Sequence, residues 1–398
     1  MTNTISLFVK SQYTQQYKDG YLLISSETIE NLENIEEGTI VNLLDSKKKF
    51  ISKGYFGKQN KGFGWVLSNQ KDEKFNKEFF AKKINSAVDY RKDFFDDTQT
   101  TAFRLFNGAG DGVGGLTIDY FNGYYLITWY SLGIYQFKEQ IIEALKVSVD
   151  YKGIYQKRRF ASNGQYLDSD KDFVCGQLSP EPLIVKENSV NFAIYLDDGP
   201  MVGIFLDQRE VRKTIRDKYA KGKTVLNTFS YTGAFSVYAS LGKAIKTTSV
   251  DLANRSLAKT SEQFSVNNIN PDDENIIVKD VFDYFKLAVK QNLLFDLVIV
   301  DPPSFARSKK HTFSVSKDYI KLLKEIIQIT NKGGVIVAST NYANLSLSRF
   351  RSFIDKAFKD SNSKYKIEET FSLPKDFRVS DKFREDNYLK VVFIRKIK

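Results

Sequence analysis

The chain carries one cysteine, Cys175, and one histidine, His311, among its 398 residues. A lone cysteine forms no intramolecular disulfide, and one Cys with one His cannot supply the ligand set of a zinc site. A Ser-His-Asp hydrolase would depend on that single histidine, which sits in a lysine-flanked segment, and we set that reading aside. Long apolar runs are missing as well, since none approaches the roughly 20 residues that span a bilayer. The first residues, Met1 to Phe8, lack a basic stretch followed by a sustained apolar one, so the expectation is a cytoplasmic protein with no membrane partner.

What is abundant is material for buried cores. Hydrophobic residues make up 42% of the chain and aromatics 14%, with 32 Phe and 22 Tyr, which excludes global disorder. The length predicts two or three domains of about 100–200 residues each. Lys and Arg exceed Asp and Glu by 59 to 48, but unevenly: residues 1–200 hold 24 basic and 26 acidic residues, and residues 201–398 hold 35 and 22. A lysine-rich proteome would explain a general excess. A polyanionic partner for the C-terminal half is the sharper reading, because phosphate contacts by Lys and Arg supply most sequence-independent nucleic-acid affinity.

Along residues 1–70, short apolar runs alternate with glycines, as in Ile40–Leu44, Phe50–Gly57 and Gly62–Leu67, and predict the strands of a small β-barrel. Between Lys71 and Thr101, Phe75, Phe79, Phe80, Ile84, Ala87 and Val88 fall near a 3.6-residue period and predict a linker helix. The glycine cluster Gly108–Gly115 lacks the Gly-Lys-Ser/Thr step of a phosphate loop and reads as a hairpin turn inside a central α+β unit reaching to residue 198. From Lys223 onward strands and helices alternate: Thr224–Thr228, Ile245–Asp251, Asn275–Lys279, Phe295–Val300 and Val335–Thr340, then Lys364–Phe371 and Tyr388–Arg395. Continuous apolar strands of this kind predict a parallel sheet covered on both faces, seven strands in all. The expected fold is therefore α/β, a Rossmann-like seven-stranded domain over 199–398, preceded by a barrel over 1–70 and the linker helix and α+β domain over 71–198.

In a doubly wound sheet the ligand lies beyond the carboxyl ends of the strands. The first strand ends in Asn227-Thr228-Phe229-Ser230-Tyr231-Thr232-Gly233, with one glycine where a dinucleotide fold places three. The triple-glycine loop lets backbone press against a pyrophosphate. S-adenosylmethionine has no phosphate, so one glycine suffices, which argues for it over a nicotinamide cofactor. Asp251 ends the second strand and suits the ribose hydroxyls, with Leu252 beside it; Asp280 ends the third and suits the adenine amino group, with Val281 beside the ring. Asp301 ends the fourth and opens Asp301-Pro302-Pro303-Ser304-Phe305, where two prolines stiffen a loop that presents Phe305. Singly these acids are weak signals. In order at consecutive strand ends they make a strong one.

The segments at 227–233, Thr248-Ser249-Val250-Asp251 and 301–309 closely resemble those of a family of bacterial class I S-adenosylmethionine-dependent methyltransferases acting on large-subunit (23S) ribosomal RNA. Gly203-Ile204-Phe205-Leu206-Asp207-Gln208-Arg209 is similar to that family's segment before the catalytic domain, and Gly110–Leu116 to its central domain. The resemblance implies an N-terminal PUA (pseudouridine synthase and archaeosine transglycosylase) RNA-binding domain and a homodimer. It implies cofactor contacts from Asn227, Phe229 to Gly233, Asp251, Leu252, Asp280, Val281 and Asp301, and from Arg209 near the amino-acid end. It places Pro302, Pro303, Ser304 and Phe305 beside the target base. Arg209 also reads as a surface residue opening a helix.

The pattern breaks at the fifth strand. The cytosine-C5 branch of the family carries a cysteine there, because C5 becomes nucleophilic only after a thiolate adds to C6. Here the stretch is Val337-Ala338-Ser339-Thr340-Asn341-Tyr342, and Cys175 lies before the catalytic domain in an apolar run that reads as buried. A related branch methylates guanine N7, whose lone pair needs only placement, and Ser339, Thr340 and Asn341 suit a base edge. A ring-nitrogen target is the favoured reading and cytosine C5 the alternative. Exocyclic amine chemistry stays in view, although Ser304 intervenes before Phe305, as does a non-catalytic RNA-binding ribosome assembly factor. Arg307, Lys309 and Lys310 follow the proline loop and read as a guide for the RNA backbone, with His311 part of the same loop. Lys157-Arg158-Arg159 and Lys47-Lys48-Lys49 read as exposed turns.

Overall fold

The computed structural model describes residues 4–59, 62–162, 165–166, 172–199, 201–307 and 312–398, with 161–162, 165–166 and 306–307 as backbone alone. The chain forms two compact units, neither contiguous. One comprises Met1–Val185, Tyr195–Val202 and Lys375–Asp386; the other comprises Lys186–Ile194, Gly203–Pro374 and Asn387–Lys398.

The first unit contains two five-stranded sheets. The N-terminal one runs in the order Thr4–Phe8, Ile40–Leu44, Phe50–Gln59, Gly62–Ser68, Leu23–Ile24, with its first pair parallel and the rest antiparallel. Leu7, Val41, Leu43, Ile51, Phe56 and Val66 from its strands join one buried core, Val41 and Leu43 at the two-residue period of a strand. The predicted linker helix is Lys77–Tyr90, followed by a short turn Lys92–Phe95. Asn76 starts it by accepting a hydrogen bond from the Phe79 amide at 3.1 Å, and Phe79, Phe80, Ile84 and Ala87 form its buried face. The glycine cluster does join an antiparallel pair, Ala102–Asn107 and Leu116–Phe121, through a one-turn 3-10 helix, Gly108–Asp111. Gly112 takes φ +88° there, which glycine adopts at little cost. Arg91, wholly buried, clamps this turn to Lys375–Asp386, bonding both Asp111 carboxylate oxygens (3.0 and 2.7 Å) and the Asp376 carbonyl.

Lys157 corrects one expectation. It sits in the strand Gly153–Arg158, 4% exposed, and pairs with Asp172. A tract of three basic residues carries no periodicity signal, so sequence alone could not place a strand there. Cys175 lies on the strand Phe173–Gly176 of this unit and is half-buried rather than buried.

The second unit is built on a seven-stranded sheet whose strands, counted along the chain, lie in the order third, second, first, fourth, fifth, seventh, sixth. They are Thr224–Thr228, Lys246–Asp251, Asn275–Val278, Phe295–Val300, Thr330–Thr340, Tyr365–Phe371 and Lys390–Lys396. The first five pair in parallel and the last two antiparallel. Alternate residues feed two cores: Leu226, Val298, Val300 and Ile336 face one side, and Val225, Leu297, Ile299 and Val337 the other. Helices Val281–Lys290, Val315–Gln328 and Leu347–Asp360 supply Phe285, Tyr319, Leu323, Phe350 and Phe358 to the first side. Strand order reverses between the first and fourth strands, so their carboxyl ends open the crevice where such folds bind ligands. Among the described residues no helix is long and apolar enough to cross a membrane.

Candidate active site

The loop after the first strand is held in an unusual backbone conformation. Phe229 and Tyr231 take φ +54° and Gly233 takes φ +76°, so two aromatic residues occupy the left-handed region that L side chains avoid at a cost of about 1–2 kcal/mol each. The surroundings enforce it. The Tyr231 amide donates to Asp251 Oδ2 at 2.8 Å, the Ser230 amide to the Val250 carbonyl at 3.1 Å, and the Thr232 hydroxyl to the Gly203 carbonyl at 2.7 Å. The Phe229 ring lies near Phe282 and Phe313 (centroids 6.3 and 6.4 Å), and the Tyr231 ring meets Phe205 at 5.3 Å. Gly233 begins the helix Ala234–Leu241, and a Cβ there would stand 2.4 Å from Thr260 Cγ2. Position 233 therefore requires glycine on two grounds.

Asp251 also accepts from the Ala253 amide at 2.9 Å through its other oxygen. Two amides fix the carboxylate while leaving lone pairs for further donors, since an ionised carboxylate offers about four acceptor sites. Leu252 beside it is 53% exposed. Asp280 lies just past the third strand and caps the helix Val281–Lys290 through the Phe282 amide at 2.9 Å; Val281 is buried under it. Asn227 turns to Ser236 Oγ at 3.0 Å, leaving its own carbonyl oxygen buried without a partner.

At the fourth strand, Asp301 Oδ2 accepts from Gln208 Nε2 at 3.1 Å, and the same nitrogen reaches Ser339 Oγ at 2.9 Å. Burial pushes the Asp301 carboxyl up to about 6, with Asp207 adding to the rise against hydrogen bonds from Ser339 and Gln208. Tyr319 closes the floor by donating to the Ser339 carbonyl at 2.6 Å. Pro302 is buried and Pro303 exposed; Ser304 Oγ donates to Asn341 Oδ1 at 2.6 Å, joining the diproline turn to the end of the fifth strand. Phe305, 62% exposed, opens a short hairpin of Phe305–Arg307 with Thr312–Ser314, and Phe313 anchors it against Phe229 and Phe282. Lys309, Lys310 and His311 lie outside the described residues, as does the side chain of Arg307.

Arg209 opens the helix Arg209–Thr214 and is 2% exposed, so the surface reading does not hold. Its neighbour Arg212 explains how this segment is set. Arg212 makes two 2.8 Å bonds to Glu187 and a 2.7 Å bond to the Phe205 carbonyl. Gln208 carries no motif of its own in the sequence; the one signal for it is its place next to Arg209. Tyr319 carried none, because its helical spacing reads as core.

These features suit S-adenosylmethionine. The loop at 227–233 approaches Asp251 through backbone rather than a glycine run, and a desolvated carboxylate stands beside an unpartnered Gln208 carbonyl oxygen, a combination that favours a ligand with positive charge.

Comparisons with known proteins agree. Residues 103–381 match the family model of the S-adenosylmethionine-dependent methyltransferases, and residues 7–69 match that of PUA-like domains. A Bacillus subtilis (strain 168) protein named "Putative ribosomal RNA large subunit methyltransferase YwbD" is 54% identical over 393 residues, 98% of this chain and 99% of its own. "Ribosomal RNA large subunit methyltransferase I" of Yersinia pseudotuberculosis is 27% identical over 92% of this chain and 93% of its own. A solved structure, described as a methyltransferase of unproven assignment complexed with SAH, superposes with a TM-score of 0.90 at 41% identity, covering 98% of this chain and 100% of that one. The chain belongs to the S-adenosylmethionine-dependent methyltransferase family and joins a PUA-like domain to its methyltransferase region.

Proposed function

We propose that the protein methylates a base of 23S ribosomal RNA at a ring nitrogen, guanine N7 being favoured, without a cysteine nucleophile. The names of the two relatives support a large-subunit RNA substrate, and the basic excess in residues 201–398 supplies phosphate-binding charge. In this reading residues 1–70 engage RNA, 71–198 form the linker helix and central domain, and 199–398 carry the chemistry.

The observation that carries the choice of atom is the Ser304–Asn341 hydrogen bond. At the position where C5 chemistry needs a thiolate, this chain places an amide whose oxygen is engaged by Ser304. Its nitrogen is left to donate to an acceptor edge such as guanine O6. The cofactor supplies an electrophilic methyl on its sulfonium. The chain's part is then to hold the base plane against the stiff Pro302-Pro303 turn, with Phe305 as an exposed ring for stacking and N7 left free. Transfer to N7 removes no proton, so no general base is required.

The test is nucleoside mass spectrometry of ribosomal RNA incubated with the purified protein and labelled cofactor. Labelled 7-methylguanosine is the expected product, abolished by Asn341→Ala and retained in Cys175→Ser. Labelled 5-methylcytidine that disappears in Cys175→Ser refutes the proposal, and RNA binding with no label transfer would favour an assembly factor.

A further inference from the structure

Gln208 ends the short turn Leu206–Gln208 and is 3% exposed. Its amide nitrogen is fully used: one direction goes to Asp301 Oδ2 at 3.1 Å and the other to Ser339 Oγ at 2.9 Å. Those two partners sit at the ends of the fourth and fifth strands, so the amide cannot rotate without giving up both bonds. Its carbonyl oxygen, fixed by that arrangement, is buried and meets no donor. A buried acceptor left unmade costs about 1–3 kcal/mol, and a chain that keeps one at a ligand crevice calls for a donor from outside.

The surroundings say what kind of donor. Asp301 and Asp207 both place negative charge here, and Arg212, which opposes it at Asp301, is already matched by Glu187 in a bidentate pair. A neutral base N–H would satisfy the oxygen but leave the field uncompensated, and the residues that suit a base edge, Ser304 and Asn341, lie nearer the surface than this buried amide. We infer that the side-chain carbonyl of Gln208 accepts a hydrogen bond from the α-ammonium of the cofactor's amino-acid end, with Asp301 as the matching charge, making Gln208 a cofactor-binding residue that selects for that ammonium. The inference rests on reading this crevice as the cofactor site.

The experiment is calorimetric titration of the full chain with S-adenosylhomocysteine and with its deamino analogue, which keeps the adenosine, sulfur and carboxylate but lacks the ammonium. A hydrogen bond to a charged group corresponds to roughly ten- to hundred-fold in affinity. In Gln208→Met, S-adenosylhomocysteine should weaken by at least about ten-fold and the analogue by much less, so that the wild-type preference between them collapses. If Gln208→Met does not fold, Gln208→Asn, which keeps the amide on a shorter arm, should reduce the same preference. An unchanged preference overturns the inference, whether both ligands weaken together, as a purely structural role requires, or neither does, as a water on the carbonyl would give. Asp251→Ala, measured alongside, reports on the crevice itself: should it leave both affinities at the wild-type level, the reading of the site falls and Gln208's role with it.

Discussion

Asp301 makes the cofactor-free protein sensitive to pH in a direction opposite to most carboxylates. Its carboxyl rises from 3.8 to about 6 because burial penalises the charged form. Such a change corresponds to about 3 kcal/mol at full burial. Asp301 keeps some contact with solvent, and we take roughly 1–2 kcal/mol. The sign follows from proton counting. Between about 4 and 6 the folded state holds a proton that the unfolded state has released, so stability from this site is complete below 4 and is lost as pH rises through 6. Asp301→Asn cannot ionise and should not show that loss. Relative to wild type it should therefore gain about 0.5–1 kcal/mol between pH 5 and pH 8 in urea denaturation without cofactor, roughly half of the whole contribution, the other half being lost already by pH 5. The signal should be far-UV circular dichroism, because both tryptophans, Trp65 and Trp129, belong to the other unit. In the wild type alone, S-adenosylhomocysteine should bind more tightly as pH rises through 6, since its ammonium favours the ionised carboxyl. A stability difference that is flat in pH, or that shrinks towards pH 8, refutes the reasoning.

Arg212→Met strands the wholly buried Glu187 carboxylate and should destabilise the second unit by about 3–5 kcal/mol in the same assay, with Glu187→Gln added on top recovering part of the loss; additive costs would show that the pair is not coupled. Gly233→Ala should cost about 1–3 kcal/mol from its φ of +76° and its 2.4 Å approach to Thr260 Cγ2, and Thr260→Ser, which deletes that methyl, should return only the steric share.

The seven-stranded sheet was legible because its strands are runs of β-branched and aliphatic residues bounded by turn residues, and boundaries moved by only a few positions, as at the third strand, which ends at Val278. The acids at the strand tips were visible for the same reason: once a strand is placed, its last residue is placed. What escaped were features with no local signature. Left-handed backbone at Phe229 and Tyr231 contradicts the preference of aromatic residues and is imposed by Asp251 and neighbouring carbonyls. The strand at Gly153–Arg158 hides in a basic tract, and Arg212 meets Glu187 across 25 positions. Long-range partners of that kind are set by the tertiary fold and leave no periodicity to read.

The back-and-forth course of the chain bears on how the protein is made and cut. Residues 375–386 bring Asp376 and Phe383, at 0% and 1% exposure, into the core that contains Trp65 and Arg91. The N-terminal portion emerging from a ribosome must therefore wait, with that core unfinished, until residues 375–386 have been synthesised. A truncation near residue 200 intended to isolate the N-terminal half would expose an aromatic cleft, and its product should aggregate or bind chaperones unless the late segment is supplied as a peptide.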